Sequence, residues 1–272
     1  MTIHDKLSSL RRMLNQMGNV VVAYSGGVDS AFLLKVAVDT LGTDNVKAIL
    51  AISPTYPSRE YNRALETASM IGVKIEIIRT KEVDDPRFVN NPVNRCYFCK
   101  HELFTKIIEY IKSSGIRNIV DGSNVDDLSD HRPGKKALQE NHVRSPLQEA
   151  GLTKNDIRVL SREIGLPTWN KDALACLSSR FPYGETIDLK KLQCVDEAEN
   201  FLSDLGFSYI RARHEKNSIR IEITPAEIKK IADDHLRQKI VTKMKELGYK
   251  YVSLDLEGYR QGSMNESLKL SL

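Results

Sequence analysis

The chain lacks any apolar run approaching the roughly eighteen residues that a membrane span requires, which excludes a helical membrane protein. Its opening segment carries Asp5, Lys6, Arg11 and Arg12 on an amphipathic pattern, without the basic-then-apolar order of an export signal. Residence in the cytoplasm is the resulting expectation. Cysteine is sparse: four in 272 residues is far below disulfide-scaffold density and fits a reducing compartment. Net charge is small too, 40 basic residues against 36 acidic leaving +4, which suits an anionic small molecule and demands no polyanionic partner. No internal repeat or low-complexity tract is present, so solenoids and long disordered segments are set aside. What remains is an ordinary globular composition, 41% hydrophobic and 28% charged, in a length that suits two domains.

Leu7, Leu10, Met13, Leu14 and Met17 form one helical stripe, which Gly18-Asn19 ends. Val20 to Tyr24 is a short β-branched run, followed by Ser25-Gly26-Gly27 and a helical stretch over 30–41. The alternation continues with a strand at 46–52, a helix at 58–71, a strand at 73–78, a helix at 102–113 and a strand at 118–121. This order predicts an open parallel α/β sheet covered on both faces. After Pro182-Tyr183-Gly184 the pattern changes to a helix carrying Leu189, Leu192, Val195, Ala198, Phe201, Leu202 and Leu205. Paired strands at 207–213 and 218–223, helices at 225–232 and 235–247 and a last strand at 251–256 follow. Helix and antiparallel-strand units of this kind predict a smaller α+β domain, giving domains 1–185 and 186–272, with a polar, loosely held tail after Gly258.

Ser25-Gly26-Gly27-Val28-Asp29-Ser30 lies between the first strand and its helix, where unsatisfied N–H groups and the helix dipole favour an anion. Adjacent glycines admit phosphate oxygens without a Cβ in the way, and Ser25 and Ser30 offer hydroxyl donors. A carboxylate beside phosphates is repelled unless a divalent cation intervenes, so Asp29 reads as a magnesium ligand. The Gly-Lys-Ser/Thr ending of a Walker loop is missing. The alternative is a plain turn in which Ser and Asp cap a helix. The motif resembles the pyrophosphate loop (PP-loop) of the ATP pyrophosphatase superfamily, which includes NAD synthetase, GMP synthetase, argininosuccinate synthase and tRNA thiolation enzymes. The resemblance implies an adenine nucleotide hydrolase-like sheet and a loop that grips the pyrophosphate of ATP through Ala23, Ser25, Gly26, Gly27, Asp29 and Ser30. It also implies an adenylated substrate and an adenine site at Ala51, Ile52 and Ser53. Asp121 to Asp127 resembles the Gly-Thr-Asn-x-Asp run of the same enzymes and adds Gly122; alone, it also reads as a polar strand-end turn.

Two further segments, Asp130-His131-Arg132-Pro133-Gly134 and Ala175-Cys176-Leu177-Ser178-Ser179-Arg180-Phe181-Pro182-Tyr183-Gly184, resemble the LarE family over nearly the whole chain, including Arg211-Ala212-Arg213 and Ile221-Glu222-Ile223. That family comprises ATP-dependent sulfur transferases, forming higher homo-oligomers, that mature the nickel-pincer cofactor of lactate racemase. The resemblance implies a pyridinium-3,5-biscarboxylic acid mononucleotide whose carboxylate attacks the α-phosphate of ATP. Pyrophosphate leaves, and sulfur displaces AMP from the acyl-adenylate to give a thiocarboxylate. Arg211 and Arg213 alternate on a strand and face one side, suited to the phosphate and carboxylates of such a substrate, or else they are solvated. Ser179 and Arg180 are further anion donors, and Lys100 is either near the reacting acyl phosphate or an ordinary surface lysine.

Cys96-Tyr97-Phe98-Cys99 has ligand spacing, and Cys176 stands in the second family segment. Three thiolates can hold three corners of a [4Fe–4S] cluster and leave one iron open for hydrosulfide from a sulfide source. Zinc with His101 as a fourth ligand, or a bare redox pair without metal, are the alternatives. Some members of the resembled family lack the paired cysteines and give up the sulfur of the one cysteine ahead of Ser-Ser-Arg-Phe-Pro-Tyr-Gly, leaving dehydroalanine; this sequence departs from them in having Cys96 and Cys99, so cluster delivery is the expectation, with Cys176 still able to be the immediate donor. Cys194, on an apolar-striped helix, reads as an inert thiol, and His4, His131, His142, His214 and His235 form no pair. Glu199 and Glu222 read as solvated charges, or as residues that orient Arg211 and Arg213 or bind a metal. Rival functions are a tRNA thiolation enzyme, an amide-forming ligase and a zinc-stabilised nucleotide-binding protein without turnover; the modest charge disfavours the first, and no nucleic acid partner is expected.

Overall fold

The computed structural model describes residues 1–112, 114–128, 133–172, 175–260 and 262–265, so Asp130, His131 and Arg132 of the first family segment lie outside the described residues. Two compact units emerge, Met1–Phe88 with Asn94–Leu174, and Val89–Val93 with Ala175–Leu272. The division falls earlier than residue 185, and the second unit takes in a short segment from within the first. Composition read along a chain has no access to such a borrowed segment.

The first unit begins with α1 (Ile3–Met17), whose Thr2 and Asp5 form a reciprocal capping box and whose Leu7, Leu10 and Leu14 are buried. Next come β1 (Val20–Tyr24), α2 (Val28–Leu41), β2 (Val46–Ile52), α3 (Ser58–Ile71) and β3 (Ile75–Arg79). Beyond these lie α4 (Pro86–Val89), α5 (Arg95–Ile111), β4 (Ile119–Val120), α6 (Gly134–Glu140), α7 (Pro146–Glu149) and α8 (Lys154–Glu163). The sheet order is β3-β2-β1-β4 with every pairing parallel, for example Val20 with Val46, Ala48 with Ile75 and Val21 with Ile119. The expected α/β class holds. β1 is central and its residues are mostly buried, as its β-branched composition requires, while α2 is apolar around much of its circumference because it lies inside the core.

In the second unit α9 (Leu189–Asp204) precedes β5 (Arg211–Glu215), β6 (Ser218–Glu222), α10 (Asp234–Glu246) and β7 (Tyr251–Leu254). β5 and β6 are antiparallel, but β7 runs parallel to β6, so the small sheet is mixed and not wholly antiparallel. The cause is connectivity: α10 lies between β6 and β7 and serves as a crossover, which returns the chain in the same direction. The borrowed segment is fastened by Asn91, a buried residue at φ +52°, a conformation that asparagine tolerates better than most. Its Nδ2 donates to the carbonyls of Phe181 and Pro182 (3.3 and 2.7 Å), and its own carbonyl accepts from Gly184 N–H at 2.9 Å.

Candidate functional site

In the first unit the expected nucleotide residues gather at the carboxyl ends of the parallel strands, the edge where open α/β sheets bind ligands. β1 ends at Tyr24, and Ser25 to Gly27 turn the chain into α2. Ser30 Oγ accepts from Ser25 N–H (3.2 Å), lies 3.0 Å from Ser25 Oγ and donates to the Gly27 carbonyl (3.3 Å), closing the loop on itself. Gly27 is the N-cap of α2 and supplies no side-chain cap, so the first N–H groups of a core helix stay available. Gly26 is required twice over: its φ is +73°, and a Cβ there would come within 2.7 Å of Ala64 Cβ.

Gly122 lies against the same helix start, where a Cβ would meet the backbone nitrogen of Ser30 at 2.9 Å. Its neighbour Asp121 accepts from Ser123 Oγ and Ser145 Oγ, each at 2.6 Å, and pairs with Lys100 Nζ at 3.6 Å. Lys100 is therefore held at the end of β4, and its side chain packs so closely on Gly134 that a Cβ there would meet Lys100 Cδ at 2.6 Å. At the end of β2, Ser53 and Thr55 donate to Oε1 of the buried Glu82 at 2.5 and 2.8 Å. Ala23 is half-buried on β1.

Asp29 faces two environments. Oδ2 accepts from Lys154 Nζ at 2.6 Å, whereas Oδ1 is buried with no hydrogen bond. Burial holds the carboxyl above its usual range, with the Lys154 charge opposing. A magnesium ion fits this residue on the donor chemistry: a hard cation would take the orphaned oxygen and relieve a buried charge.

Residues that local reading of the sequence misses complete the loop. Lys154 opens α8 after a Thr153/Asp156 capping box, a helix-start signal that the sequence does carry. Tyr56 Oη donates to the Ser25 carbonyl (3.0 Å), and Lys171 Nζ donates to the Gly26 carbonyl (2.8 Å) and pairs with Glu60 Oε2 (2.5 Å). No local signal marks Lys171.

In the second unit Cys176 caps the short 3-10 helix Leu177–Arg180 and is exposed. Ser178 Oγ donates to its Sγ at 3.3 Å. Arg180 is bidentate to Glu199, with Nε and Nη2 each at 2.8 Å, and its Nη1 donates to the carbonyls of Ala175 and Cys176. Arg213 is bidentate to Glu222 at 2.9 Å and also donates to the Ser179 carbonyl at 2.8 Å. A cavity of about 170 Å³ opens among Ser179, Arg180, Arg213, Glu215, Arg220 and Ser263. Arg211 stacks on the Tyr259 ring with its Cζ 4.8 Å from the centroid, and burial together with the repulsion of Arg180 pushes its guanidinium pKa down.

The amino-terminal part, residues 2–90, matches the sequence model of the NAD synthase family. Over 98% of this chain and 99% of the other, 43% of residues are identical to an uncharacterised protein of Synechocystis sp.. A protein of Methanocaldococcus jannaschii, also uncharacterised, is 29% identical over 96% of this chain and 99% of its own. The pyridinium-3,5-bisthiocarboxylic acid mononucleotide synthase of Lactiplantibacillus plantarum is 36% identical over 98% of this chain and 96% of that enzyme. The chain belongs to the LarE family. As a LarE-family protein it is an enzyme, an ATP-using sulfurtransferase, and among its described residues no helix is long and apolar enough to cross a membrane.

Set in that family, two expectations need correction. Glu199 and Glu222 are not solvated charges: Glu222 is fully buried, and each receives a guanidinium. Burial pushes Glu199 upward, but the charge and hydrogen bonds of Arg180 outweigh it and the net direction is down. Nor are Arg211 and Arg213 exposed, at 9% and 8% of their full accessibility. The cysteines divide between the units. Cys96 and Cys99 sit three apart in the first turns of α5, on one face of that helix, and Cys176 belongs to the second unit. Within neither unit, among the described residues, do three His, Cys, Asp or Glu side chains group as metal ligands. His101 is exposed on α5, and Cys194 is half-buried with its thiol pKa raised by burial.

Proposed function

We propose that this enzyme activates a carboxylate of pyridinium-3,5-biscarboxylic acid mononucleotide with ATP and converts it to a thiocarboxylate, a step of nickel-pincer cofactor synthesis. The observation that carries the reading is the identity, along nearly the whole of both chains, to a protein named for synthesis of the bisthiocarboxylic acid mononucleotide. The loop geometry supports the ATP half: Ser25, Gly26, Gly27, Ser30 and Gly122 frame the polyphosphate, Ser53 the adenine, and Asp29 is the magnesium ligand. Bound there, magnesium would neutralise polyphosphate charge. Lys100 is assigned to the reacting acyl phosphate.

The chemistry is activation by exchange of leaving group. A carboxylate resists nucleophiles because of its charge and because oxide leaves badly; its oxygen attacks the α-phosphorus, pyrophosphate departs, and the acyl carbon then bears AMP. Ser179, Arg180 and Arg213, which line the cavity, and Arg211, which lies outside that lining against Tyr259, are assigned to the phosphate and carboxylates of the mononucleotide. Arg180 and Arg213 reach that task already oriented by Glu199 and Glu222, which leaves little rotamer freedom to lose on binding.

Sulfur enters through the Cys176 thiolate, which attacks the acyl carbon as AMP leaves with the electron pair of the broken C–O bond. Cleavage of the Cys176 Cβ–Sγ bond, with loss of the Cα proton, frees the thiocarboxylate and leaves dehydroalanine. The alternative is delivery through a [4Fe–4S] cluster on Cys96, Cys99 and Cys176, a reading supported by thiolate chemistry and the helical pairing of the first two.

The test incubates anaerobically purified protein with ATP, magnesium and the mononucleotide. Substrate-dependent pyrophosphate release is expected, followed by thiocarboxylate; pyrophosphate formed without the substrate, or no release at all, would overturn the reading. Cys176→Ala is expected to retain the acyl-adenylate and lose the thiocarboxylate. Iron and sulfide analysis with the mass of the spent protein separates the sulfur routes: a mass lower by the elements of hydrogen sulfide marks donation from Cys176, whereas bound iron and sulfide with unchanged mass mark the cluster.

A further inference from the structure

From Ala23 to Leu34 the chain carries no Lys, Arg or His, so the loop that would hold a triphosphate brings no full positive charge of its own. Backbone N–H groups and the start of α2 supply only partial charges, and Asp29 adds a negative one. Side-chain positive charge at the loop therefore comes from residues distant in the sequence. Lys154 reaches the site but is paired with Asp29. Lys171 is separated from Gly26 by 145 positions, yet its Nζ donates to the Gly26 carbonyl at 2.8 Å. The Lys171 side chain is 13% exposed and Glu60, its ion-pair partner at 2.5 Å, is 14% exposed.

A mere latch does not explain that arrangement. The adjacent carbonyl, that of Ser25, is held by the neutral hydroxyl of Tyr56 at 3.0 Å. A largely buried ammonium with its carboxylate carries a desolvation cost that a second hydroxyl would avoid. An ammonium also has three N–H donors; Gly26 takes one as a hydrogen bond, while Glu60 Oε2 is met as a charge partner without hydrogen-bonding geometry.

We propose that Lys171 is a binding residue for the polyphosphate of ATP: it lends the PP-loop the full positive charge that the loop's own sequence omits, and Glu60 positions it. The proposal rests on the loop's role in holding ATP. Lys171→Met alone would leave the largely buried Glu60 with only the more exposed Arg63 as a charged partner, at 3.0 Å, so the informative variants are Glu60→Gln and the double variant Lys171→Met with Glu60→Gln. Calorimetric titrations with magnesium-ATP, pyrophosphate and adenosine are compared with those of the wild type. In the double variant, affinities for ATP and pyrophosphate should fall about tenfold or more, the scale of one charge-assisted phosphate contact, while adenosine binds unchanged. Glu60→Gln alone should keep ATP affinity within a few-fold.

Undiminished ATP affinity in the double variant, an equal fall for adenosine, or an equal loss in Glu60→Gln would each overturn the proposal. A second measurement uses the wild-type protein: pyrophosphate, but not adenosine, should suppress reductive methylation of Lys171 read by mass spectrometry, and equal labelling would overturn it. A wild type that binds neither ATP nor pyrophosphate overturns the ATP reading together with this one, whereas normal wild-type binding with an unaffected double variant removes this one alone.

Discussion

Asp29 is pulled in two directions. Burial favours its neutral form, Lys154 favours the carboxylate, and the net result is a raised pKa. A raised carboxyl pKa means that the folded chain holds the proton more tightly than the unfolded chain does. The corresponding stability is fully present below the unfolded value, near about 4, and is lost as pH rises through the folded one. A divalent cation on Oδ1 reverses that balance at neutral pH by competing with the proton. Magnesium-ATP affinity should therefore weaken on acidification through the raised pKa, approaching about tenfold per pH unit. Asp29→Asn should bind magnesium-ATP about 10 to 100 times more weakly, with little dependence on pH. Calorimetry from about pH 8 to about pH 5 reads both slopes, and wild-type affinity in Asp29→Asn would remove the residue from metal binding. Asp29 draws notice in the sequence alone because a carboxylate in a loop expected to hold phosphate is chemically odd. Lys171 does not, because the atom that gives it meaning, the Gly26 carbonyl, is distant in the chain.

At the level of elements, legibility follows the apolar pattern. β1, β2 and α3 occupy the expected ranges because a β-branched run, a short apolar run and a clean helical stripe mark them in turn. α5 begins at Arg95 and not near 102, since its first turns hold Cys96, Tyr97, Phe98 and Cys99, while its buried apolar residues start only at Phe104. The cysteine pair thus lies on a helix, where three-residue spacing puts both side chains on one face. The β4 turn is legible in type but not in consequence: the sequence marks Gly122 as a turn glycine, while the structure packs it on the backbone of α2. Because the opposing atom is the Ser30 nitrogen, a Cβ cannot be accommodated by rotating a side chain. Gly122→Ala should cost about 1 to 3 kcal/mol of stability. It should also weaken ATP binding more than adenosine binding, because the displaced element carries the N–H groups proposed to face the phosphates. A thermal melt with paired titrations tests this, and a wild-type melting temperature with intact ATP affinity would refute the close packing.

For the molecule as a whole, the second unit is built from two stretches of chain, and this bears on what can fold alone. A fragment starting at residue 186, where composition places the domain boundary, lacks the Val89–Val93 segment and the Arg180 turn. Without the segment, Ile187 N–H loses the Val89 carbonyl that it meets at 2.9 Å. Without the turn, Glu199 loses both guanidinium hydrogen bonds while keeping its place beside the Ala212 N–H at 3.0 Å. Removing one partner of a buried pair costs about 3–5 kcal/mol, and a unit of this size holds about 4 to 13 kcal/mol in total. The fragment 186–272 should accordingly show no cooperative thermal transition by circular dichroism. A chain joining 89–93 through a flexible linker to 175–272 restores the borrowed segment and the Arg180–Glu199 pair, and it should melt sigmoidally. A cooperative melt of 186–272 alone would mean that Arg180 and the Asn91 segment are dispensable to this unit, and that its boundary lies where composition puts it.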